Sequence, residues 1–97
     1  MSWTVLIEEI RGSGERQRWG LVPSALGGQR NASFDDREEA RTEALRLTAA
    51  HVPGHPWSER DRQAYRISPD EYVVNVDGAT TEFHFRVTVA ERIVPGG

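Results

Sequence analysis

Phe83, Phe85, Val87 and Val89 recur at every second position, with Glu82, His84, Arg86 and Thr88 between them. A period of two is the signature of a strand with one buried and one wet face. Upstream, Tyr72, Val73, Val74 and Val76 run into Asp77-Gly78, a dipeptide that readily adopts the positive φ values of a type I′ turn. The pattern therefore predicts a hairpin across Glu71 to Ile93 joined by those two residues. Near the other end, Trp3 to Ile10 reads as a strand with Trp3, Val5 and Ile7 on one face and Leu6 and Ile10 on the other. Apolar residues on both faces predict an interior position.

Gly12-Ser13-Gly14 supplies a turn, after which Arg16 to Val22 returns as a second strand limited by Pro23. Ser24 to Ala32 reads as an exposed loop, longer than most connections. Asp35 or Asp36 then serves as N-cap, with Glu38 or Glu39 completing a capping box, and a helix follows from Arg37 to about Val52. Its apolar side holds Ala40, Ala44, Leu47, Thr48 and His51, widened by Leu45 and Val52, and Pro53-Gly54 ends it. Gln63 to Ile67 forms a third strand and Ser68-Pro69-Asp70 a turn. The order is ββαβββ. One helix covers one face of a sheet, so the expected architecture is a single α+β domain over residues 1–97. It is a two-layer sandwich whose mainly antiparallel sheet of four to five strands leaves one face to water.

Ninety-seven residues suit one hydrophobic core. At 37% hydrophobic residues and a mean hydropathy of −0.60, that core is expected to be thin. The net charge of −3 offers no general attraction to phosphate backbones or anionic lipid. All twelve cationic residues are arginine, a bias more economically explained by base composition than by selection for forked hydrogen bonds. The chain has no cysteine, which excludes disulfides, thiolate zinc sites and cysteine nucleophiles. No stretch approaches a membrane span and no leader precedes the first strand, so a cytoplasmic location is expected.

No constellation of residues declares a reaction. His51 and His55 have the spacing that places two imidazoles on one helix face, but Pro53 and Gly54 interrupt the helix between them and no third ligand is near. No metal and no cofactor is expected. Phosphate-binding loops and nucleophile elbows are absent from the sequence. The acidic pairs Glu8-Glu9 and Asp35-Asp36 are accounted for by strand alternation and helix capping. Glu82 to Val87 invites comparison with the base-stacking strand of an RNA-recognition module, yet its phenylalanines are needed inside and the preceding basic-Gly element is missing. Trp19 and Trp57 lie at or beside loops, where an indole plugs the end of a core or anchors a partner; Trp3 reads as core. The best candidate site is the wet sheet face carrying His84, Arg86 and Thr88, with Arg66 nearby, and Trp57 as a second contact point.

Trp3-Thr4-Val5 through Glu8-Glu9, Arg37-Glu38-Glu39-Ala40, and the run from Phe83 to Glu91 together resemble a family of small, uncharacterised actinobacterial proteins of ββαββ type. The likeness spans most of the chain and implies a cytoplasmic housekeeping or regulatory role. The leading expectation is a non-enzymatic module that contacts another protein or a second copy of itself. The alternative is small-ligand or nucleic-acid binding through His84, Arg86 and Arg66, with nucleic acid disfavoured by the acidic charge. An enzyme or metalloprotein comes last.

Overall fold

The alternating patterns assemble into one antiparallel sheet with a helix laid across it. The computed structural model describes residues 2–11, 14–21, 33–53, 59–79 and 81–94. In chain order these form β1 (Ser2–Arg11), a 3-10 turn (Gly14–Arg16), β2 (Arg18–Leu21), β3 (Ser33–Phe34), α1 (Arg37–Ala50), β4 (Glu59–Ser68), β5 (Glu71–Gly78) and β6 (Glu82–Arg92). The sheet runs β2-β1-β6-β5-β4, and β3 also pairs with β1. All pairings are antiparallel. β1 is interior, as its two apolar faces imply. The expected α+β sandwich is thus observed, with six strands because the two-residue β3 joins the edge opposite Trp3 and Thr4.

The hairpin closes later than the turn dipeptide implies. Asp77 pairs with Glu82, and the Gly78 N–H donates to the Thr81 carbonyl at 2.8 Å, so Asp77-Gly78 ends a strand and the connection lies beyond it. A turn at Asp77-Gly78 would set Val76 opposite Ala79 and Val74 opposite Thr81. The observed register instead sets Val76 against Phe83, Val74 against Phe85 and Tyr72 against Val87. Both registers keep the same faces inward, and the one with the greater apolar cross-strand contact prevails over local turn preference.

On the helix side, Phe85, Val74, Val76 and Val87 are fully buried and are joined by Val5, Val89 and Tyr72. Ala40 and Ala44 of α1 are also fully buried, and their small side chains let the helix axis approach the sheet. Leu45 and Val52, expected to widen the helix stripe, are 49% and 79% exposed. β2 is shorter than Arg16 to Val22 and β4 longer than Gln63 to Ile67. The lengthening has a cause at Arg62, whose Nη1 donates to the Thr48 and Ala49 carbonyls at 3.0 Å each. A cation from β4 thereby satisfies the helix C-terminus and complements its dipole. The Ser24 to Ala32 loop lies outside the described residues.

The opposite end of α1 is held twice. Asp36 is the N-cap, its carboxylate accepting from the Glu38 N–H at 3.1 Å, whereas the Glu38 carboxylate pairs with Arg41. Arg41 Nε also donates to Asp70 in the β4–β5 turn at 2.8 Å, and Arg37 binds the same carboxylate. Hydrogen bonds from Arg41, then Arg37, hold the Asp70 carboxyl down at about 2, below its ordinary 3.8. A depressed folded-state value means that this clamp contributes fully above pH 3.8 and is lost as pH falls through about 2.

Phe85→Ala is expected to cost about 3–5 kcal/mol in a urea titration, against a total stability of order 5–15 kcal/mol, while Leu45→Ala leaves the midpoint nearly unchanged. Asp70→Asn is expected to lower the thermal midpoint at neutral pH, with the gap to the parent closing between pH 3.8 and about 2. A gap independent of pH would show that the clamp is not electrostatic.

Candidate functional site

Alternation turns every other residue of each strand away from α1, and the pairing register aligns these residues in rows across the face that no described element covers. Leu21, Glu8, Arg86, Val73 and Tyr65 form one row, from β2 through β1, β6 and β5 to β4. Trp19 stands opposite Ile10 at one side of the next row, while His84, Asn75 and Gln63 occupy its other side. Leu6, Thr88 and Glu71 lie in the row on the far side of Arg86.

Arg86 organises the centre. Its Nε and Nη2 donate to the two oxygens of Glu8 at 3.0 and 2.9 Å, a bidentate pair, and Glu71 stands at 3.9 Å. Its guanidinium also lies 4.6 Å from the Trp19 ring centroid, within cation–π range. The Glu8 hydrogen bonds raise the Arg86 pKa above its ordinary value, against partial burial, which works the other way. Arg86 is therefore a neutralised, fixed cation, unlike a free one awaiting phosphate.

His84 is half-buried between Ile10 and Asn75 and lines a cavity of about 160 Å³ with Ile10, Gln17, Glu82 and Phe83. A second cavity of about 210 Å³ lies among Ile10, Gln17, Arg18 and Trp19. Asn75 Nδ2 donates to Asp77 at 3.3 Å, and its buried Oδ1 has no hydrogen-bond partner among the described residues. Such an atom is unusual in a folded chain.

Arg66 does not join this group. It pairs with Tyr72 on the helix-side face, its guanidinium 5.6 Å from the Tyr72 ring, and so sits across the sheet from His84 and Arg86. Trp19 does not plug the core; it covers Arg86 on the open face. Trp57 and His55 lie outside the described residues. His51 caps α1 and bonds Glu9 through Nε2 at 2.8 Å, with its ring edge-on to Phe85 at 4.8 Å. Among the described residues no group of three His, Cys, Asp or Glu side chains is placed to hold a metal ion.

Glu8 is the site residue missed from sequence, and Trp19, readable there as core plug or partner anchor, takes its place over Arg86. Alternation alone puts Glu8 beside Leu6 and Ile10, but its pairing with Arg86 requires β1 and β6 to be neighbours, which no local pattern encodes. Among the described residues no helix is long and apolar enough to cross a membrane. Comparisons with protein-family models, with curated proteins and with solved structures find no match for this chain.

Proposed function

We propose that this domain is a non-enzymatic interaction module that uses its open sheet face to bind another protein surface or a second copy of itself. The observation that carries this reading is the composition of the face. Trp19, Leu21, Tyr65, Leu6, Ile10 and Val73 surround an arginine whose charge is already paired within the domain. Leu21 and Tyr65 remain 57% and 53% exposed. Tryptophan, tyrosine and arginine are the side chains that most often dominate binding energy at protein interfaces. Because Glu8 accompanies Arg86, covering the face strands no lone charge at its centre.

Among the described strands, the β4 edge is a weaker surface for this purpose. β4 ends the sheet but carries Glu59, Arg60, Asp61, Arg62 and Arg66, with register shifts near both ends. Charges and irregular pairing blunt an edge against strand addition. Binding of phosphate or nucleic acid gains little support, since Arg86 is neutralised, Arg66 is on the other face and the chain is net acidic.

The direct test is chemical footprinting of Trp19 and Tyr65 in the intact protein, alone at micromolar concentration and in extract of its own cells, with the mass in solution measured in parallel. Protection of both side chains, lost in a Leu21→Asp variant that unfolds at the parent midpoint, is the expected result. Equal labelling under all conditions, with a monomeric mass, would sink the proposal.

A further inference from the structure

The open face ends, beside the β5–β6 connection, in a row of acids. Asp61 pairs with Asp77 and Asp77 with Glu82, so three adjacent strands each present a carboxylate at the same level. Strands lie about 4.8 Å apart, which sets these charges side by side. Like charges in directly opposed positions destabilise a sheet. Several acids elsewhere are matched: Asp70 meets Arg37 and Arg41, Glu43 meets Arg46, Glu59 meets Arg62 and Glu8 meets Arg86. Among the described residues Asp61, Asp77 and Glu82 have no ion pair; Asp77 accepts from Asn75 alone.

Glu82 also forms a wall of the 160 Å³ cavity, next to Ile10 and Phe83. A cavity of about 150 Å³ holds a benzene-sized group, so this one accommodates a single long side chain. Ile10 joins it to the apolar surface around Trp19. Apolar anchoring surface, a slot and an uncompensated acidic row are therefore contiguous.

Resting on the interaction-module reading, we infer that the face receives a segment of another protein in which an apolar anchor is followed by arginine or lysine. The anchor seats on Trp19 and Ile10, and the cations lie along Glu82, Asp77 and Asp61. A metal ion does not suit the row, whose ends are two strand spacings, about 10 Å, apart. A nucleic acid is repelled by it.

The test uses the intact chain and two labelled peptides of about twelve residues, one with a Leu-Trp-Leu anchor followed by three arginines and one with three glutamates instead. Fluorescence anisotropy should give about tenfold tighter binding of the arginine peptide at low salt, a preference that shrinks as salt rises. An Asp61→Asn, Glu82→Gln double variant should lose the preference while melting about 2–5 °C higher, because opposed charges have been removed. A lower melting point would assign the acids a structural role and overturn the inference. Equal binding of both peptides, abolished by Trp19→Ala, would overturn the charge assignment and leave the docking face standing. A dimeric mass dispersed by Leu21→Asp would identify a second copy as the occupant, again overturning it. Binding of neither peptide to a monomeric protein would remove both readings.

Discussion

Phe85 connects every layer of this fold. It is fully buried, stands in one cross-strand row with Glu9, Val74 and Ala64, and lies beneath the C-terminal end of α1. The His51 ring meets it edge-on, and the Arg62 guanidinium lies 5.5 Å from its centroid. Two polar groups that fasten the helix, the His51–Glu9 bond and the Arg62 cap, are thus both positioned over one aromatic ring. The remaining buried side chains are mainly valine and alanine, so the packing of this ring carries an unusual share of the helix-to-sheet contact. Once the helix is fixed there, the opposite sheet face remains the uncovered one among the described elements.

Charge is distributed around this core in two ways. On the helix side, Arg62 ties β4 to the last carbonyls of α1, and Arg37 and Arg41 tie α1 to Asp70 in the β4–β5 turn. On the open face, Glu8 and Arg86 neutralise one another under the Trp19 ring, while Asp61, Asp77 and Glu82 stand side by side at one end with no ion pair among the described residues. Like charges set side by side across strands do nothing to hold a sheet together, and such a place is where a binding role is most economically sought. The side-by-side placement of three acids on adjacent strands, and not the number of arginines, marks this end of the face.

Much of the candidate face was legible locally. Alternation put His84 and Arg86 on the side opposite Phe85, and both lie there. Arg66 failed for an identifiable reason. Alternation along β4 would bury Tyr65 and Ile67 and expose Arg66, but β4 is an edge strand with little of the helix above it, so its inward face gains no apolar cover. Tyr65 and Ile67 remain 53% and 60% exposed, while Arg66 lies over Tyr72. A periodicity rule presumes that one face is buried, and at the uncovered edge of a sheet that presumption lapses.

The order of the longer elements, the helix start at Asp36, the inward set Phe85, Val87 and Val89 and the two-layer α+β class follow from residue spacing, because each depends on neighbours a few positions apart, whereas the two-residue β3 has no such signal. The hairpin register, the adjacency of β1 and β6, the Glu8–Arg86–Trp19 group and the acidic row across β4, β5 and β6 were decided only when strands remote in sequence came together. Cross-strand contact energy selects among registers that local preference leaves nearly equal, and that energy exists only between segments already paired in space.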